Sequence, residues 1–218
     1  MIAGQACRES IHKKVYIFPD VPISKVRFSD TPYKELHQDT YIHFIDMFYK
    51  NQSLVIQLPK YKLYNIDNNK LTICVDDIFF QYFINPLEEH IITSTHAHSE
   101  KWFNGKRFTM NKIIHSFISP YVKKDNQHFL TMSFNQNTLF FNRYKGLIPH
   151  KDIISNTYSD IELICLIKLA NLHFLHNKFS YNLVLEQVKV FKHEYLTDYS
   201  IIDTSSEITS ISDNTYTI

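Results

Sequence analysis

Residues 99–114, SEKWFNGKRFTMNKII, hold the only tryptophan of the chain, one of its three glycines and four cationic side chains. Trp102 and Phe103 offer flat π faces, and Lys101, Lys106 and Arg107 offer positive charge. Side chains of these two kinds can stack bases, at about 1–3 kcal/mol per base, and neutralise phosphates without reading sequence. They equally suit core aromatics beside a turn with charges on its wet side, and both readings stand open at this point. Cations and aromatics interleave again at Lys60, Tyr61, Lys62 and Tyr64, and at Phe141, Arg143, Tyr144 and Lys145. The candidate nucleic-acid-binding residues are Lys60, Tyr61, Lys62, Trp102, Lys106, Arg107, Arg143 and Lys145.

Other chemistries are weaker. His96-Ala97-His98 places two imidazoles at i and i+2, which can ligate a metal from a strand, but no third ligand follows at a familiar spacing. Glu88-Glu89-His90 is not an HExxH motif. Neither a metal nor a cofactor is expected. Cys7, Cys74 and Cys165 are odd in number, widely spaced and free of any CxxC, which argues against a disulfide framework and a zinc finger. Cys165, inside an apolar run, reads as a small buried hydrophobe. Ser133 lacks the glycine frame of a nucleophile elbow. Asp76-Asp77 can bind a divalent ion, but helix capping explains the pair more cheaply. Three glycines exclude a Gly-rich phosphate cradle. A hydrolase would need His90, His96 or His98 gathered with Glu88 or Glu89 in a cleft. With no nucleophile, base and orienter assembled, the chain reads as a non-enzyme.

Charge is uneven. The whole chain carries +1, but residues 197–218 contain Asp198, Asp203, Glu207 and Asp213 and no Lys or Arg. Residues 1–196 thus hold 23 basic and 18 acidic side chains, a mild positive excess that permits nucleic acid as a partner. The length and apolar content suit one domain with a proper core. The expected organisation is a flexible arm over 1–12, a single β-rich domain over 13–196 and a flexible Ser/Thr/Asp tail over 197–218. No apolar run approaches a membrane-spanning length and the N-terminus lacks a signal-peptide core, so no membrane association and an intracellular location are expected.

The elements that must position the candidates are mostly strands. KVYIFPD (14–20) and SLVIQL (53–58) read as strands, the second stopped by Pro59. KYKLYNI and KLTICV flank an Asp67-Asn68-Asn69 turn. Residues 76–92 change to helical period, with Asp76 or Asp77 as cap and Pro86 as an interruption. Thr109 caps a second helix before Pro120. HFLTMSF (128–134) and NTLFFNR (137–143) read as a hairpin, and 161–175 as a bent strand with a helix as the alternative. FSYNLVLEQVKVFK (179–192), read as a strand, puts Leu183, Leu185, Gln187, Lys189 and Phe191 on one face and Val184, Glu186, Val188 and Val190 on the other; neither face is cleanly polar, yet its β-branched content favours a strand. The fold class is mainly β with helical insertions (α+β), and an OB-like antiparallel barrel satisfies it because closure hides sheet edges.

Three stretches in order carry a resemblance: SLVIQLPKYKLYNI (53–66), SEKWFNGKRFTMNKIIHSFISPYVK (99–123) and IELICLIKLANLHFLHNKFSYNLVLEQVKV (161–190). Together they resemble single-stranded DNA-binding proteins of nucleocytoplasmic large DNA viruses and their relatives. The resemblance spans about 53–190 and implies an OB-like barrel that coats single-stranded DNA during replication. It marks Lys60 after a proline corner, Trp102 and Phe103 at a turn, and Gln187 with Lys189 on the last strand. Asn177 and Ser180 depart from the more glycine-rich closing hairpin of that family, and the acidic tail is short.

The resulting expectation is non-catalytic, sequence-nonspecific binding of single-stranded DNA in replication or repair, with RNA not distinguished and with homo-oligomerisation along the strand. If the protein is viral, its place is the host cytoplasm or nucleus. The alternative is a viral structural or assembly protein that self-associates without nucleic acid.

Overall fold

Hydrophobic alternation with a period of two dictates the sheet. The computed structural model describes residues 15–21, 23–37, 39–149, 153 and 161–192, so the arm and tail expected over 1–12 and 197–218 lie outside the described residues. Among the described residues the chain is mainly β with helical insertions. The strands before the helices are β1 (Val15–Ile17), β2 (Arg27–Phe28), β3 (Tyr33–His37), β4 (Thr40–Phe48), β5 (Leu54–Asp67) and β6 (Lys70–Val75). The helical segment comprises α1 (Asp77–Phe79), a π turn (Phe80–Ile84), α2 (Asn85–Trp102) and, after a connector, α3 (Met110–Ser116). Then come β7 (Tyr121–Lys124), β8 (Gln127–Ser133), β9 (Leu139–Phe141), β10 (Ile161–Leu175) and β11 (Lys178–Lys192).

Five of these strands close on themselves. β5 pairs with β6, β6 with β8, β8 with β11, β11 with β10, and β10 returns to β5. Every pairing in that ring is antiparallel except β8–β11. Counted in chain order, the barrel strands run 1-2-3-5-4-1, the Greek-key order of an OB-type barrel. The parallel seam has a single ladder pair, Val184 opposite Ser133. Side chains reinforce it: Ser133 Oγ donates to the Leu183 carbonyl at 3.3 Å and Thr138 Oγ1 to the Leu185 carbonyl at 2.7 Å. Beyond the barrel, β10 continues along β4, which also carries β2 and β3. The core is filled by residues such as Ile56, Leu71, Ile73, Leu130, Ile167 and Val188, all fully buried.

The helices cover the barrel with Phe79, Phe83, Ile84, Leu87 and Ile91. Asp76 caps the start, its carboxylate accepting from the Phe79 amide at 2.7 Å. Thr109 caps α3 by accepting from the Lys112 amide. None of these helices is long and apolar enough to cross a membrane.

Four local expectations need correction. Pro59 does not stop the strand: β5 runs through it, because position 59 falls between the β1 and β6 ladders and opposite a register shift in β10, where no ladder amide is required. Pro86 does not break the helix, since the preceding π turn bonds the Asn85 amide back to Phe80 and shifts the ladder at the proline; α2 therefore extends to Trp102. Residues 128–134 and 137–143 are not a hairpin, as β8 pairs with β6 and β7 while β9 lies parallel to β11. Finally, β11 has a register shift between Leu185 and Gln187 that exchanges its faces, so Leu183 and Leu185 share the core side with Val188 and Val190.

Candidate nucleic-acid interface

The register across β5, β6, β8 and β7 builds an outer face. Lys62 stands opposite Cys74, Cys74 opposite Phe129, and Phe129 opposite Val122. One step along, Asn65 faces Thr72 and Thr72 faces Thr131, whose hydroxyls are hydrogen-bonded at 3.0 Å. Lys70 then faces Ser133. Leu71, Ile73, Leu130 and Met132 point inward between them and are buried. Tyr64, 52% exposed, lies over this face beside Phe129.

Two turns bound the face. Asn68-Asn69 joins β5 to β6, and His176-Asn177 joins β10 to β11; all four residues have positive φ, the requirement of two-residue type I′ hairpin turns. In a chain so poor in glycine, asparagine supplies that conformation. Between the turns runs a groove of about 600 Å³ lined by Lys70, Thr131, Ser133, His173, Lys178 and Ser180, among others. Among the described residues, none that lines it is a carboxylate. Lysines over a lining of hydroxyls and apolar side chains, Ile118, Val122, Leu175 and Phe179 among them, make a surface that accepts a polyanion and packs against bases.

The electrostatics are set by burial. His173 has its Nδ1 enclosed with no hydrogen-bond partner among the described residues. Burial first, and then the Lys70 charge, hold its pKa below the ordinary histidine value. Lys178 Nζ donates to the His115 carbonyl at 2.8 Å, which ties β11 to α3. Behind the groove floor, Glu88 on α2 accepts from Ser119 Oγ and, at 3.0 Å, from the Tyr181 hydroxyl. Burial holds the Glu88 carboxyl pKa above the ordinary value, and these two hydrogen bonds offset only part of the rise.

The candidate residues divide. Lys62 lies on the outer face with Tyr64, which the sequence set beside it without assigning it a role. Lys60 is exposed but turned toward β10 and β11: its Nζ pairs with Glu162 at 2.9 Å and lies 5.1 Å from the Phe191 ring centroid. Two aromatic candidates are corrected. Tyr61 is 7% exposed, on the core side of β5, with its hydroxyl on Asp76 at 3.3 Å. Trp102 is 3% exposed, donates its indole N–H to the Ser29 carbonyl at 3.2 Å and packs on Phe28 and His98. Neither ring has a free face for a base. Lys106 and Arg107 are exposed on the connector between α2 and α3. Arg143 and Lys145 are exposed in the turn after β9, with Arg143 over the Tyr144 ring at 4.6 Å. β9 pairs with β11 at Gln187–Lys189, roughly 30 Å along the strand from Lys178 at about 3.3 Å per residue, so this pair stands apart from the groove.

Lys70, Lys178, His173 and the Thr72–Thr131 pair escaped the sequence reading. Lys70 and Lys178 each follow an asparagine-containing turn, and that position was their only local signal. His96 and His98 lie on α2 rather than on a strand; two positions on a helix point about 200° apart, so they do not converge. Among the described residues no three His, Cys, Asp or Glu side chains are grouped to hold an ion.

A family model described as "Family of unknown function (DUF5871)" matches residues 59–203. The chain belongs to this family. No curated protein matches the sequence. Among solved structures, the chain is similar to the single-stranded DNA-binding protein from bacteriophage Enc34, with 10% identity over 81% of this chain and 97% of that one and a TM-score of 0.46. It is also similar to gp2.5, a single-stranded DNA-binding protein encoded by bacteriophage T7, with 9% identity over 77% of this chain and 100% of that one and a TM-score of 0.48. The Enc34 protein in complex with single-stranded DNA matches with 10% identity over 76% of this chain and 96% of that one, at a TM-score of 0.43.

Proposed function

We propose that this protein binds single-stranded DNA without sequence preference and without a covalent step, in replication or repair. The observation that carries the reading is the groove on the outer face of the barrel that runs from Lys70 on β6 past β8 to β10 and β11 beside the 176–177 turn, with no carboxylate among the described residues that line it. In OB-type barrels this face and the loops in the positions of the 68–69 and 176–177 turns take oligonucleotides. Lys62, Lys70 and Lys178 neutralise phosphates along it, and Tyr64 presents a ring for stacking. Lys60, Lys106, Arg107, Arg143 and Lys145 add positive charge farther out.

The ordered resemblance of 53–66, 99–123 and 161–190 to viral single-stranded DNA-binding proteins points the same way. Self-association along a coated strand accompanies the reading. β3, which pairs only with β4 among the described residues and has all five residues exposed, is the edge available to a second copy. The test is anisotropy of a labelled oligo-dT titrated with the full chain at two salt concentrations. Binding that weakens steeply with salt supports the reading, and no binding at low salt refutes it.

A further inference from the structure

On the far side of the 176–177 turn lies a second cavity, of about 340 Å³, that the groove does not include. Its walls are aromatic. Phe103 meets Phe108 edge-on at 5.1 Å and Phe174 edge-on at 5.2 Å, and Phe174 stacks on Phe179 at 5.1 Å. Its mouth is cationic. Lys112 Nζ sits 4.3 Å from the Phe108 ring centroid, and Lys178 is held in place by its bond to the His115 carbonyl. Among the described residues, none that lines it is a carboxylate. The exposed Lys106 and Arg107 immediately precede Phe108 on the connector.

We propose that this cavity takes one unstacked nucleobase of the bound strand, with the adjoining phosphate between Lys112 and Lys178. The inference rests on the single-strand reading above and extends it to a discrete base site. Three features argue for this occupant. A flat apolar ring fits between aromatic walls, where stacking is favourable for any base. Lys112 and Lys178 complement a phosphate attached to that ring. Lys178 and Phe179 line both the groove and the cavity, so a strand lying in the groove reaches the cavity by crossing the His176-Asn177 turn. An apolar peptide fits the walls but brings no anion to the two lysines. The geometry thus gives Phe103 and Phe108 the stacking task that the sequence had offered to Trp102 and Phe103.

The test is photo-crosslinking of the full chain to an oligo-dT carrying a single 5-iodo-deoxyuridine, with the crosslinked peptides mapped by mass spectrometry. It is paired with titration of the Phe108→Leu and Lys112→Ala variants with plain oligo-dT. The expected result is crosslinks within residues 103–112 or 174–179. Phe108→Leu, which keeps apolar volume, should lower affinity at least fivefold, and Lys112→Ala should lower the salt slope. Crosslinks confined to the β6–β8 face, with both variants binding like the wild type, overturn the base site and leave the function standing. Absence of salt-dependent binding by the wild-type chain overturns both.

Discussion

The ring of Tyr64 lies 4.4 Å from that of Phe129, centroid to centroid, at an interplanar angle of 53°. Phe129 is 9% exposed and Tyr64 52% exposed, so a buried ring supports an exposed one on the outer face of the barrel. A supported aromatic has lost part of its rotamer freedom before a base arrives, which lowers the cost of stacking.

Tyr64→Ala is therefore expected to weaken oligo-dT binding by about 1–3 kcal/mol, while Tyr64→Phe retains most of it. Because the ring is largely solvent-exposed, thermal unfolding of Tyr64→Ala should stay near the wild-type midpoint. Equal affinity of Tyr64→Ala and wild type would remove this ring from the interface.

Trp102 should behave as a core reporter. Packed against Phe28 and His98 at ring distances of 5.9 and 5.0 Å, it is expected to emit as a buried indole, to resist iodide quenching, and to stay unquenched by oligo-dT. Trp102→Ala should cost about 3–5 kcal/mol of stability, read by urea denaturation. Direct quenching by the strand would contradict its placement.

Affinity should also respond to acid. Burial and Lys70 hold the His173 pKa low in the free protein, so its folded state favours neutral imidazole. Its contribution to stability is present above the unfolded value near 6.5 and is lost as pH falls through the depressed folded value. A phosphate placed in the groove offsets the Lys70 charge and favours the imidazolium more than the free protein does. Oligo-dT binding should tighten as pH falls toward the depressed His173 value of the free protein, with proton uptake visible by calorimetry in buffers of different ionisation enthalpy. His173→Asn should flatten the profile.

Strand content and the capping residues Asp76 and Thr109 were legible in the sequence because they depend on neighbours within a few positions. The faces of 179–192 were not. A register shift after Leu185 moves the core side from odd to even positions, so no single period describes the strand. Tyr61 and Trp102 looked like binding residues because composition cannot separate a buried aromatic from an exposed one. Parity along β5 does separate them: Tyr61 and Leu63 are buried while Lys60, Lys62 and Tyr64 are exposed. The groove was hidden for a different reason. Lys70, Ser133 and Lys178 come from three strands and meet only because β8 pairs with β6 and reaches β11 at a single ladder pair. Pairings of that range leave no local trace in the chain.

The proposal that the β6–β8 face neutralises the phosphates is tested most directly by the dependence of oligo-dT affinity on salt. The proteins to compare are wild type, Lys62→Ala with Lys70→Ala, and Arg143→Ala with Lys145→Ala. For a single strand, each phosphate that is no longer neutralised lowers the log–log slope by about 0.7. The expected result is a slope reduced by about 1.4 for the first pair and a much smaller change for the second, which stands away from the groove. A wild-type slope in the first pair, with the reduction falling on the second, would move the binding surface to the other end of β11 and contradict the proposal.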